Sequence, residues 1–403
     1  MAASLQNLVE SLSMKNSVLE DELTVARKSG DDTMQKLKES HEILLRCIKE
    51  NLGFKEGKPV AACIIYKYLL HWRAFESERT ATFNHVIEAI NDVLKNNLQS
   101  NGLFTAPSRR SVGAQGLGGE IVQTLRSPSK LVGRSDGLPQ LTACVENIFE
   151  QLRDNLKKEI SPLLSLCIQA PKTSGQRGKA FKSPGTRAQA PSNSNWDNIV
   201  NFLDLLIDTL CDNHVPSFFI RKLVTQLFSF VNIQLFNSLL LRREICTMSN
   251  GEYVKAGLSL LEKWITNVTE EFAGTSWHEL NYIRQAVGFL VIHQKRKKTF
   301  EEIRQDLCPA LSVRQIYRIC SMYWDDKYHN LGVSNECVAA MREMVHEDTQ
   351  NLTSNSLLLD DDLTLFRSPT EDLSMAIPAI DYTDVGLPES IQHYPSVQFL
   401  HRQ

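Results

Sequence analysis

Apolar side chains recur every seven residues at the start of the chain. Leu5, Leu12, Leu19 and Ala26 form one series, and Val9, Asn16 and Leu23 follow its first three members at an interval of four. This pattern predicts a short coiled coil over residues 1–30, with Asn16 at a central a position, where a buried amide fixes the register of parallel dimers. We expect a homodimer interface formed by Leu5, Val9, Leu12, Asn16, Leu19 and Leu23. An ordinary surface helix is the alternative, and Ser29-Gly30-Asp31 interrupts the pattern.

Helical spacing of apolar residues continues beyond the coil. It predicts a first helical subdomain over residues 31–169, with helices that begin near residues 34, 59, 80 and 141. Residues 100–140 are rich in Gly, Ser and Pro and have no period, which indicates a flexible loop. Residues 170–195 contain five basic residues and no acidic one, which indicates a basic linker.

The most regular periodicity lies in residues 196–348 and predicts a second helical bundle. Three capping-box spacings, Ser276/Glu279, Thr299/Glu302 and Ser312/Gln315, mark helix starts in it. The predicted elements include Asn250–Phe272, Ser276–His293, Thr299–Leu307, Ser312–Trp324 and Ser334–Asp348. Alternating strand patterns are absent from the sequence, so the predicted fold is all-α, with two helical bundles.

The last segment, residues 349–403, has no period and is acidic. Residues 347–389 hold ten Asp or Glu residues and a single basic one, Arg367. Because apolar residues such as Leu357–Leu359 and Ile377 remain in it, we expect an extended arm that wraps the bundles. A disordered acidic tail is the alternative.

Composition narrows the function classes. The 403 residues are 42% hydrophobic with a net charge of −3, which argues against a nucleic-acid coat. The nine cysteines are scattered without a C-x-x-C pair, and the N-terminus lacks a signal-peptide pattern. We expect a soluble cytoplasmic chain without a transmembrane segment.

Catalytic motifs are not found. Neither a phosphate-binding loop nor an H-E-x-x-H or G-x-S-x-G motif occurs, so we expect no enzyme activity, no cofactor and no resident metal. Asp360–Asp362 could suggest a magnesium-dependent hydrolase, but a solvated charge run or a partner for basic residues is the favoured interpretation.

Two basic clusters are the best candidates for partner binding. Arg242-Arg243 follows the most apolar predicted helix, and Lys295, Arg296, Lys297 and Lys298 fill a turn between two helices. They could bind acidic peptides, acidic protein surfaces or anionic lipid. A structural role is the alternative, since cations are favoured near helix C-termini.

Several segments resemble the dilute domain in the globular tail of class V and class XI unconventional myosins. The resemblance is carried by Gln234-Leu-Phe-Asn-Ser-Leu-Leu-Leu-Arg-Arg-Glu244, Ile283-Arg-Gln-Ala-Val-Gly-Phe-Leu-Val-Ile-His-Gln294, Tyr323-Trp-Asp-Asp-Lys-Tyr328 and Gly57-Lys-Pro-Val-Ala-Ala-Cys63. It covers residues 40–170 in pieces and 196–400 almost continuously, and it is greatest for the plant class XI branch.

The resemblance implies a cargo-binding tail of two helical subdomains. Such tails recruit vesicle or organelle receptors and Rab-type GTPases, and they can fold back to silence the motor. Arg243, Lys297 and Lys298 fall at positions similar to the basic ones that class V tails use against the motor head. Contact with actin would be indirect, through a motor in a longer chain.

Two departures from the family pattern leave alternatives open. No motor is present, so a stand-alone tether or competitive inhibitor that dimerises and occupies cargo receptors is the second hypothesis. The first subdomain lacks two apolar segments that the family usually has after the helix at residues 80–99 and before Leu141, which predicts a loosely packed first bundle.

Overall fold

The computed structural model describes residues 2–50, 52–73, 86–93, 137–171, 194–326, 332–350, 356–361, 379–394, 397–398 and 400. These residues are almost entirely α-helical, which confirms the predicted fold class. The chain forms two compact units, Met1–Val145 with Pro378–Gln403, and Glu146–Ile377. Most of the predicted loop 100–140 and linker 170–195 lies outside the described residues.

The first unit begins with a helix of 48 residues, α1 (Ala2–Lys49). The interruption of the heptad pattern at Ser29-Gly30-Asp31 does not end the helix, because α1 passes through these residues unbroken. One glycine in a helix interior costs only about 1 kcal/mol relative to alanine. The turns on either side outweigh that cost, and the Thr33 hydroxyl donates a hydrogen bond to the Ser29 carbonyl at 2.8 Å.

A small hairpin separates α1 from the next helix. Strand β1 (Phe54–Lys55) pairs antiparallel with β2 (Lys58–Pro59). Glu56 and Gly57 turn between them with φ of 53° and 76°, as two-residue hairpin turns require. Strands of two residues hold no alternating pattern, so the sequence did not predict them.

The C-terminal residues complete the core of the first unit. Helix α2 (Val60–His71) begins after Pro59, as predicted, and a further helical stretch covers residues 86–93. A short helix, Glu389–Gln392, lies in the C-terminal segment. That segment contributes Val385, Ile391, Val397 and Leu400 to the core that Ile43, Cys47, Val60, Cys63 and Ile64 form.

The second unit contains residues of α3 (Gly137–Cys167) from Glu146 onward and most of the remaining helices. Two short 3₁₀ turns, Arg243–Ile245 and Lys295–Lys297, and one π-helical turn, Glu302–Leu307, lie between α-helices of this unit. The helices are α4 (Ser194–Asp212), α5 (Ser217–Leu241), α6 (Met248–Ala273), α7 (Ser276–Glu279), α8 (Asn281–Leu290), α9 (Val313–Met322) and α10 (Asn335–Gln350).

Helix α5 is the central helix of this unit. Thirteen of its 25 residues are buried, including Phe228, Phe236 and Leu240. It is long and apolar enough to cross a membrane by composition, but most of its apolar length is buried inside the unit. This burial is that of a core helix.

Two of the three predicted capping boxes form. Ser312 and Gln315 satisfy each other's backbone N–H at the start of α9, and Thr299 and Glu302 do the same. The box predicted for Ser276 and Glu279 is wrong. Ser276 is buried and donates its hydroxyl to the Ala273 carbonyl, which satisfies an acceptor at the end of α6 instead.

Candidate partner-binding surfaces

The turn after α8 carries four basic side chains, of which Lys295 is buried and the other three lie at the surface. Gln294 adopts the left-handed conformation with φ of 59°, which turns the chain and places Lys295 inside the unit at 0% exposure. Its ammonium donates to the Leu290 carbonyl at 2.8 Å and the Ile292 carbonyl at 2.7 Å, and it lies 4.4 Å from the centre of the Tyr323 ring.

Lys295 is therefore a capping residue for the end of α8. Burial lowers the pKa of its ammonium to about 8, since desolvation disfavours the charged form. This corrects the sequence prediction for one position of the cluster, because an ammonium enclosed by two carbonyls and a ring is not presented to a partner.

The other three cations of this turn lie at the surface. Arg296 and Lys297 are exposed, while Lys298 is half-buried and forms an ion pair with Glu302 at 3.1 Å. The pKa of Glu302 is lowered, first by the hydrogen bond from the Thr299 backbone N–H and then by Lys298. Within the described residues, the Lys297 ammonium has no ion-pair partner.

The two arginines after α5 have different surroundings. Arg242 donates to Gln169 at 2.7 Å and forms an ion pair with Glu244 at 2.8 Å, so its guanidinium is already engaged. Arg243 is exposed, and its guanidinium has no hydrogen-bond partner among the described residues. The indole N–H of half-exposed Trp324 donates to the Arg243 carbonyl at 3.2 Å, which fixes the backbone there. Arg243 and Lys297 are thus the predicted site residues whose charges are most available.

The second unit contains a groove of about 850 Å³ that the sequence did not predict. The extended segment 356–361 lies along it and is held through its backbone. Asn237 donates to the Leu359 carbonyl at 2.8 Å and accepts from the Leu359 N–H at 2.9 Å, while Gln315 donates to the Leu357 carbonyl at 3.1 Å. No local pattern signals a contact between residues 122 positions apart in the chain.

The aspartate run has a structural partner. The Asp361 carboxylate accepts two hydrogen bonds from the Lys157 ammonium, at 2.7 and 2.8 Å. Asp361 is thus a partner for a basic residue, as the favoured interpretation of this run allowed, while Asp362 lies outside the described residues. Among the described residues, no group of three His, Cys, Asp or Glu side chains is arranged to hold a metal.

The predicted coil residues line an open face of α1. Val9, Leu12, Leu19 and Leu23 are between 53 and 62% exposed, and Asn16 is exposed with them. The side chain of Leu5 lies outside the described residues. In the single chain this apolar stripe of α1 is exposed to water.

Comparison with known proteins identifies the domain in the second unit. Residues 222–327 match the DIL domain. This range contains Arg243, Trp324 and the whole basic turn. The chain therefore carries a DIL domain, and its 403 residues contain no motor domain.

Relatives extend the similarity to the whole chain. Protein OPAQUE1 of Zea mays is 60% identical over 537 residues that include 100% of this chain, and Myosin-15 of Arabidopsis thaliana is 55% identical over 405 residues that include 91% of it. The match spans 35% of the first relative and 26% of the second. The alignment to OPAQUE1 has 134 more positions than the 403 residues of this chain. The chain is strongly similar to the tails of plant class XI myosins.

A solved structure described as "Myosin V cargo binding domain" shares the fold. It has a TM-score of 0.61 at 15% sequence identity, over 92% of this chain and 96% of that one. At this identity the likeness concerns the fold alone, and it confirms the all-helical fold that the resemblance implied.

Proposed function

We propose that this chain is a non-catalytic cargo-binding tail of a class XI-like myosin. It recruits receptors on vesicles or organelles for transport along actin, and it works in the cytoplasm at the surface of those organelles. The observation that carries the proposal is the 55% identity to Myosin-15 across 91% of the chain. The fold that it shares with a solved structure of Myo2-GTD in complex with Mmr1 adds support.

Transplantation of the chain onto a motor tests cargo recruitment. The tail of a class XI myosin is replaced by residues 1–403, and organelle movement is followed in plant cells that lack the parent myosin. A cargo-binding tail restores movement and colocalises with the moving organelles. Normal expression of the chimera without any restored movement would contradict the proposal.

The exposed cations support a second role, contact with a motor head. Arg243 and Lys297 present charges without partners among the described residues, and such charges are the ones available to an acidic surface. We propose that they contact the head in autoinhibition. Lys298 contributes less, since Glu302 already neutralises it.

An ATPase assay tests this contact. A motor-and-neck fragment of a class XI myosin is assayed with actin while the chain is added in trans, and we expect inhibition that weakens as salt is raised. The variants Arg243→Glu and Lys297→Glu should relieve it. Lys263→Glu is the matched control, because Lys263 is an exposed cation elsewhere on α6. Equal effects of all three variants would exclude a specific contact.

Rab-type GTPases and a second copy of the chain are the further proposed partners. The exposed apolar stripe of α1 supports pairing with a second copy of the chain. Such a dimer would also suit the alternative function, a tether that occupies receptors without moving them. Expression of the chain in wild-type cells should slow organelles under either function, because the chain competes for receptors. The chimera described above separates the two functions, since a cargo tail restores movement and a tether does not.

A further inference from the structure

The segment 356–361 is held in the groove of the second unit mainly through its backbone. The Asn237 amide bonds both the N–H and the carbonyl of Leu359, and Gln315 donates to the Leu357 carbonyl two residues earlier. A neighbouring β-strand would bond the same two groups of one residue. Every residue except proline carries both groups. This clamp, formed by Asn237 and Gln315, therefore accepts the backbone of an extended peptide of almost any sequence.

The side chains of the segment add little burial to this backbone clamp. The three leucines at 357–359 are half-buried, and the other three residues are exposed. Affinity from apolar contacts grows with the area that is removed from water. Release of the segment therefore costs less apolar burial than release of a core helix such as α5, and the helices of the unit do not depend on it for their own core.

Charge selects the residue that lies two positions after the clamped one. The Asp361 carboxylate accepts two hydrogen bonds from the Lys157 ammonium, which also lies 5.2 Å from the centre of the Phe230 ring. The side chain of Lys157 is only 12% exposed, so its charge is largely fixed in place by α3. A fixed cation favours a carboxylate within hydrogen-bond distance. The groove thus fits aliphatic residues that are followed by an acidic one.

The groove continues beyond the clamp along one face of α5. Gln226, Ser229 and Ile233 line it, and their spacing of three and four residues places them on the same face as Asn237. From Gln226 to Asn237 this face is about 16 Å long, the length of about five extended residues. The buried Oε1 of Gln226 has no hydrogen-bond partner among the described residues. It is an acceptor for the N–H of a peptide that follows this face.

We propose that the groove is a docking site for an extended segment of a partner protein, and that residues 356–361 compete with this segment from within the chain. The partner segment carries two or three aliphatic residues and a carboxylate two positions after the residue that Asn237 clamps. Its affinity comes from backbone hydrogen bonds and its specificity from the side chains between them. This inference rests on the proposed function, since a cargo receptor is the partner that such a tail meets, and it adds the binding mode.

Release of the chain's own segment tests the competition. The probe is a fluorescein-labelled peptide with the sequence of residues 354–363, and its binding to the full chain is followed by fluorescence anisotropy. Leu359→Pro removes the N–H that donates to Asn237 in the chain and leaves the groove unaltered, so the peptide should bind at least about tenfold more tightly. Asp360→Pro is the matched control, because the clamp bonds the backbone of Leu359, and it should leave the affinity unchanged.

Charge reversal tests the contact at Lys157 in the released chain. With Leu359→Pro present, Lys157→Glu should weaken binding of the peptide about tenfold, and a peptide with lysine in place of Asp361 should recover it. Recovery also shows that the variant chain is folded. Lys158→Glu is the control, since Lys158 is exposed at the next position of α3. A peptide with proline in place of Leu359 should bind none of these chains.

The outcomes separate this inference from the proposed function. Equal affinity of the original chain, Leu359→Pro and Asp360→Pro for the peptide would overturn the competition. Loss of binding by Lys157→Glu without recovery by the lysine peptide would overturn the acidic preference. A fall in mass by light scattering when the peptide is added would show that a second copy supplies the seated segment, which would also overturn the competition within one chain. Restored organelle movement by the chimera is a separate result, so the groove can be wrong while the proposed function stands.

Discussion

Replacement of Lys295 by methionine should change how the stability of the chain depends on pH. Lys295 is fully buried, with its ammonium against two carbonyls and the Tyr323 ring. Methionine has a similar length and no charge, so Lys295→Met removes the ion while it keeps most of the packing. Lys297→Met is the matched control, since Lys297 is exposed in the same turn.

The size of the effect follows from the pKa of Lys295. Burial lowers this pKa from 10.5 to about 8, and one pKa unit corresponds to about 1.4 kcal/mol, so burial of the charged form costs about 3 kcal/mol. This cost is the net difference between the charged and the neutral form at this site, with the two hydrogen bonds from the ammonium included. Near pH 7 the original chain carries the cost in full, and Lys295→Met does not.

The sign of the pH dependence is fixed by the direction of the shift. Because the folded-state pKa is lower than that of the unfolded chain, the unfolded chain binds more protons between about pH 8 and 10.5. The free energy of unfolding contributed by Lys295 therefore rises with pH across this window, and below about pH 8 the burial cost is present in full. Burial raises the pKa of Tyr323 to about 12 and raises that of Cys320 as well, so in the folded chain neither should titrate in the window. Both groups titrate in the unfolded chain, but this contribution is common to the original chain and the variants and cancels in the difference between them.

Urea unfolding followed by tryptophan fluorescence measures the effect. The free energy of unfolding is determined for the original chain and both variants from about pH 7 to about pH 10.5. The difference between the original chain and Lys295→Met should grow by about 3 kcal/mol across the window, while the difference to Lys297→Met stays flat. A constant difference for Lys295→Met would refute the idea that its ammonium is desolvated.

Four further substitutions probe helix packing, the segment 356–361 and the C-terminal segment. Gly257→Ala should lower the free energy of unfolding by about 1–3 kcal/mol, since an added Cβ overlaps the Trp196 ring, whereas Gly288→Ala has open space and should stabilise α8 slightly; a higher melting temperature for Gly257→Ala would contradict this. Asn237→Ala should speed hydrogen exchange at Leu359, whose N–H it frees, and unchanged protection there would refute the clamp. Lys67→Met should destabilise the first unit by about 1–3 kcal/mol, because buried Lys67 donates to the Thr383 and Val385 carbonyls; equal stability by thermal unfolding would show that these bonds are dispensable.

Much of the helical architecture was predictable because its signals are local. Pro59 precedes a helix, as predicted, Pro216 precedes α5, and Ile199, Leu203, Leu206 and Leu210 form a buried face of α4. Helix starts at Thr299 and Ser312 follow from side chains three residues away that satisfy free backbone groups. Arg243 and Lys297 are exposed, as basic residues usually are.

The errors lie where local signals compete with contacts made elsewhere. Ser276 had the spacing of a cap, but burial turned its hydroxyl to the Ala273 carbonyl. Lys295 looked like its three basic neighbours, and only the position of the Tyr323 ring and the end of α8 selects it for burial.

The sequence by itself determined the helices, the heptad stripe, the resemblance to myosin tails and the charges that a partner would meet. These features depend on residue periodicity and on neighbours a few positions apart, and both can be identified from the sequence alone. Only the tertiary structure decided which cations are exposed, that Asn237 holds the segment at Leu359, and that α2 packs against the end of α1. Such pairings join residues far apart in the chain, and their geometry is set by the packing of the whole unit.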